Sequence, residues 1–172
     1  VRSLANLVNI YYQSVGCNSV LLLNIPPDRR GLIHEVDVQR IKELSNYIEK
    51  TFAENVVLNG NELWQANIGD SREYEVKSDA VVNTFLIQED ITKGQRVEDF
   101  LVEVYSNGAW QYAAEGTTIG YKRLLRFSDC TPEKIRITIR GARALANITN
   151  VGLYYAEPLQ DEGTKVKLSD VS

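Results

Sequence analysis

The chain changes its hydrophobic period once, and that change limits what it can fold into. Up to Asn55 apolar residues recur three and four positions apart; beyond it they alternate with polar ones. Glu73–Val76, Thr84–Gln88, Phe100–Tyr105, Trp110–Ala113, Lys122–Phe127, Lys134–Arg140 and Ile148–Tyr155 read as short strands. Turn signals separate them at Asn59-Gly60-Asn61, Lys93-Gly94 and Asn107-Gly108. In Lys134-Ile135-Arg136-Ile137-Thr138-Ile139-Arg140 the alternation is strict, which sends the isoleucines to one face and the polar residues to the other. Many short, evenly punctuated strands predict an antiparallel sandwich or jelly roll, a mainly β fold.

The part before Asn55 reads differently. Leu4, Leu7, Val8, Tyr11 and Tyr12 share one helical face over residues 3–15, with Ser3 as cap and Gly16 as stop. Val20–Ile25 is an apolar run interrupted by Asn24, the pattern of a strand buried on both faces, and Pro26-Pro27-Asp28 ends it. A second helix is predicted from Asp37, its N-cap, to Glu54, with Ile41, Leu44, Ile48 and Phe52 on one stripe. The boundaries that follow are 1–55 for the helix-strand-helix segment, 56–157 for the sandwich, and 158–172 for a polar, poorly ordered tail.

Composition excludes several classes. A net charge of −4 with scattered basic residues gives no footprint for nucleic acid or an anionic membrane surface. No apolar run approaches the roughly 20 residues that span a bilayer. His34 is the only histidine, which rules out a multi-histidine metal site, and it reads as exposed and idle. Cys17 and Cys130 read as two buried free thiols. The chain opens on Val1 and contains no Met, the expectation for a processed chain or an excised piece.

Three segments carry a family resemblance: Phe85-Leu86-Ile87-Gln88-Glu89-Asp90-Ile91, Gly94-Gln95-Arg96-Val97, and Gly116-Thr117-Thr118-Ile119-Gly120-Tyr121-Lys122-Arg123. Together they resemble the C-terminal β-sandwich of the α-L-fucosidases of glycoside hydrolase family 29, a galactose-binding-like jelly roll. Val20-Leu21-Leu22-Leu23-Asn24-Ile25-Pro26-Pro27-Asp28-Arg29-Arg30-Gly31 is similar to the last strand of that family's catalytic β/α barrel and the loop after it. The similarity runs from about Asn9 to Tyr155, with a shortened connection between Thr51 and Thr84. It implies a parent that hydrolyses terminal α-linked L-fucose with retention, without metal or organic cofactor, in a secreted, periplasmic or lysosomal setting. It also implies that the partner of this chain is the catalytic barrel of the same parent.

Such hydrolysis needs two carboxylates about 5 to 9.5 Å apart. Glu89-Asp90, Glu98-Asp99 and Asp161-Glu162 are adjacent in sequence, point to opposite faces of a strand, and read as solvated surface acids. No segment matches the family's Asp nucleophile or Glu acid/base motif, so no catalytic residue is assigned. Asn24, at the end of the barrel-like strand, either borders the sugar pocket of an intact enzyme or satisfies backbone groups of the adjacent Pro26-Pro27 turn. Gly116–Gly120 lacks the Gly-Lys-Ser/Thr ending of a phosphate loop and reads as turn glycines.

An independent sugar site would need an aromatic face and planar polar groups. Trp64, Gln65 and Asn67 supply those types in a loop-like setting, with fucosylated or galactosylated glycans as ligands, although packing is the commoner role of a half-buried tryptophan. Trp110 reads as core, and Tyr74, Tyr105, Tyr112 and Tyr121 as strand residues. Asn147-Ile148-Thr149 fits the N-glycosylation pattern. An autonomous carbohydrate-binding module and a protein-interaction or oligomerisation domain are the alternatives to a non-catalytic part of a fucosidase.

Overall fold

The computed structural model describes residues 2–160. Two helices precede eight strands. Helix α1 (Leu4–Ser14) starts where the Ser3 hydroxyl accepts the Asn6 amide, as its spacing predicts. Helix α2 (Glu35–Thr51) starts two residues earlier than Asp37. Its cap is His34, whose Nδ1 accepts the Val36 amide at 3.2 Å, so the histidine is exposed but not idle. Asp37 instead joins Glu35 in the first turn, where a negative charge suits the helix dipole.

The strands are β1 (Trp64–Ala66), β2 (Ser71–Glu75), β3 (Val82–Glu89), β4 (Val97–Ser106), β5 (Ala109–Gly116), β6 (Arg123–Cys130), β7 (Lys134–Ala142) and β8 (Ala146–Tyr154). They form two four-stranded sheets in the orders β1-β8-β3-β6 and β2-β7-β4-β5, and every pairing is antiparallel. Alternating between sheets in this way is the eight-stranded jelly roll. The core lies between the sheets. Phe85, Phe100, Ile135, Ile137, Ile139, Ile148 and Leu153 have no measurable exposure there, because alternation aims each at the facing sheet.

A second apolar cluster covers the outer face of the first sheet. Leu7, Val8 and Tyr12 of α1 and Leu44 of α2 pack on Leu86, Leu124 and Tyr154. Leu159 adds to this cluster, so the expected loose tail begins packed; residues 161–172, with Asp161 and Glu162, lie outside the described residues. Val20–Ile25 is not a strand here. It pairs with no strand among the described residues, and Val20 and Leu22 are 87% and 91% exposed. An apolar run of this type needs a neighbour on each edge, and the strands among the described residues are all engaged in the sandwich.

Several side chains fall elsewhere than predicted. Trp110 lies on the outer face of the second sheet, under the Arg136 guanidinium at 4.2 Å and against the Tyr105 edge. Tyr121 is outside any strand and Cys17 is exposed, while both cysteines are free. Tyr74 is buried in β2, and its hydroxyl has no hydrogen-bond partner among the described residues.

Candidate functional site

The three sandwich segments of the resemblance converge on one buried carboxylate. Glu89 is 4% exposed at the end of β3, not a solvated surface acid. Its Oε1 accepts the amides of Arg96 and Val97 at 3.0 and 3.1 Å, and its Oε2 accepts the Gly120 amide at 2.9 Å. The Glu89 amide in turn donates to the Gly120 carbonyl at 2.8 Å. A carboxylate is an acceptor at both oxygens, so burial among three N–H groups replaces much of its lost hydration. The arrangement fixes the turn between β3 and β4 to the loop between β5 and β6.

Glycines permit this convergence. Gly120 has φ +63°, and a Cβ there would strike the Asn18 side chain. A Cβ at Gly116 would lie 2.7 Å from the Phe100 ring. Asn18 continues the junction toward α1: its Oδ1 accepts the Tyr121 amide at 2.7 Å, and the Leu124 amide donates to the Gly16 carbonyl at 2.9 Å. The site therefore binds peptide groups and ties the helix layer to the sandwich. Its chemistry is structural.

The predicted sugar-site residues do not form one constellation. Trp64 and Gln65 lie in β1, paired with β8, and not in a loop. Trp64 packs against the sandwich core. Gln65 Nε2 donates to Asn147 Oδ1 at 3.1 Å, and Asn67 donates its backbone amide to Asp70 Oδ2 at 2.8 Å. Asn24 is exposed on the extended segment, whose Leu23 packs with the helix-side cluster. Asn147 is 7% exposed within β8, which closes the glycosylation pattern in the folded chain.

The other acids also have partners. Glu98 bonds Arg143, and Asp99 and Glu115 share Arg140 at 2.7 and 2.8 Å. The Arg30 guanidinium holds the Asp28 carboxyl below the usual carboxylate range, and the amides of Arg30 and Leu32 add to this. Burial, first of all, pushes the Tyr12 phenol up. Among the described residues no group of three His, Cys, Asp or Glu side chains could hold a metal ion, and no helix is long and apolar enough to cross a membrane.

The two sheets and their strand order define a jelly-roll β-sandwich with a helical layer on one face. Comparison with known proteins shows what the chain is similar to. The α-L-fucosidase 1 of Arabidopsis thaliana is 32% identical over 86% of this chain and 35% of its own length. A crystal structure from Bacteroides ovatus, assigned as an α-L-fucosidase, is 53% identical, with TM-score 0.94 over 97% of this chain and 29% of that one. A glycoside hydrolase 29 family member from a rumen bacterium is 34% identical, with TM-score 0.82 over 94% of this chain and 30% of that one. No family model matches the chain. It is homologous to part of the family 29 α-L-fucosidases, consistent with their C-terminal region. It spans about a third of the length of the curated relatives it matches.

Proposed function

We propose that this chain is the non-catalytic C-terminal portion of an α-L-fucosidase, packing against the catalytic barrel of the same parent and stabilising it. The supporting observation is the exposure of Val20 and Leu22 in the apolar run Val20–Ile25, with Leu32, Ile33 and Val36 also exposed nearby in sequence. Exposed apolar side chains grouped in this way call for a covering partner. A barrel would supply the neighbouring strands that the segment lacks. On this reading residues 1–55 complete the barrel, 56–157 form the sandwich and 158–172 the tail. Asn24 then borders the sugar pocket of the assembled parent. The parent removes terminal α-L-fucosyl groups with retention, using two carboxylates outside this chain.

The test compares the isolated chain with a full-length parent on an aryl α-L-fucoside. The isolated chain should release no phenol. In the parent, Leu22→Lys should lower the melting temperature by several degrees, because it places a charge where an apolar side chain is covered. Turnover by the isolated chain, or a parent indifferent to Leu22→Lys, overturns the proposal.

A further inference from the structure

A cleft of about 400 Å³ lies between α1, the start of β3, β6 and the segment after β8. Small-molecule sites commonly run from roughly 300 to 1,000 Å³. Asn6, Asn9, Asn83, Thr84, Arg126 and Glu157 supply its polar wall.

Most acceptors of that wall already take a bond from a neighbour, and Tyr47, which also lines the cleft, donates its hydroxyl to the Glu157 carbonyl at 2.7 Å. Asn6 Oδ1 accepts Arg2 at 3.0 Å, and Asn9 Oδ1 accepts Arg126 Nη2 at 2.6 Å. Asn83 Oδ1 takes the Ala156 amide at 2.8 Å and the Thr84 hydroxyl at 3.1 Å, while Asn83 Nδ2 is spent on Asp129 and the Ala156 carbonyl. Glu157 is paired with Lys50 at 2.7 Å. The donors left without a partner among the described residues are Nδ2 of Asn6, Nδ2 of Asn9, and the remaining N–H groups of Arg126.

Arg126 forms no ion pair among the described residues, and the one carboxylate of the cleft wall, Glu157, is paired with Lys50. It is held in place by Asn9 and by the Tyr12 ring, 4.4 Å from its guanidinium carbon. An arginine pinned by stacking, in a cleft that two amide donors also line, suits the planar acceptor pair of a carboxylate. We propose that this cleft binds a small carboxylate, with Arg126 as the charged anchor and the Asn6 and Asn9 amides as further donors. An acidic monosaccharide and a simple organic acid share the required chemistry.

Titration with D-glucuronate, acetate and D-glucose, followed on the side-chain amide resonances of Asn6 and Asn9, tests this. Glucuronate should saturate in the millimolar range, with glucose at least about tenfold weaker. Acetate as tight as glucuronate identifies a simple acid; glucuronate alone identifies an acidic sugar. Arg126→Gln should abolish binding. Because that change also removes the stack on Tyr12, Asn9→Asp is the second variant: it offers Arg126 an internal carboxylate on an exposed helix face and should abolish binding with the fold intact. Equal affinity for glucose, unchanged binding in Asn9→Asp, or no saturation by either acid overturns the proposal.

Discussion

Between the two sheets, Phe85, Phe100, Ile135, Ile137 and Ile139 are fully enclosed, and both walls of that enclosure belong to this chain. On the helix side, Leu7, Val8, Tyr12 and Leu44 are buried against β3, β6 and β8, yet Val20 and Leu22 in the same layer are bare. The core between the sheets is closed on both sides by the sheets themselves. The helix layer is finished on the side that meets the sheet and open on the other. A region of the first kind should carry most of the stability of the isolated chain, and a region of the second kind should gain stability from what covers it.

Substitutions can break or sharpen this contrast. The largest effect is expected from Phe100→Ala, which empties a ring-sized volume between the sheets; loss of roughly 3–5 kcal/mol should appear in urea unfolding. Glu89→Gln comes next. One of its two acceptors becomes an amide nitrogen facing an N–H group, and about 3 kcal/mol should be lost in the same assay. Leu44→Ala should cost about 2 kcal/mol, near the lower end for such a truncation, because the open layer can settle around the change. If Leu44→Ala costs as much as Phe100→Ala, the two layers unfold as one unit and the contrast fails.

The smallest effect is local and depends on pH. The Asp28 carboxyl sits below the usual carboxylate range because of Arg30, so its contribution is complete above that range and disappears as pH falls through the lowered value. Acidification should lower the protection factors of the Arg30 and Leu32 amides, measured against their intrinsic exchange rates at each pH, while those of the sandwich amides hold. Asp28→Asn should remove this pH dependence. An unchanged acid response in that variant would assign it to another group.

The sandwich was legible in the sequence because alternation is a direct imprint of one buried and one wet face. Seven of its strands are predicted within a few residues of their observed positions. β1 escaped because Trp64-Gln65-Ala66 is too short to show a period. Val20–Ile25 read as a strand because hydropathy reports what a segment needs to bury and not whether a neighbour is at hand. Glu89 read as a surface acid from its company, Asp90 and the charged turn beyond. The signal that finds it is positional: Phe85, Ile87 and Glu89 stand two apart in one strand and share its inward face. The junction behind Glu89 was visible as matching segments, but the contact among them joins three places in the chain and has no local pattern. The donor-lined cleft had no sequence signal either, since it depends on which amide oxygens are already taken.

Glu89 also bears on the timing of assembly. Two of its three partners lie seven and eight residues further along the chain, and the third lies thirty-one. The near pair can close as soon as the turn after β3 forms, whereas Gly120 comes into reach only when β4 and β5 have been laid down. Closing the longer loop costs more chain entropy, so the far bond belongs to a later stage than the near pair. One side chain thus marks two moments in folding, and its second oxygen is engaged only when the loop before β6 has arrived.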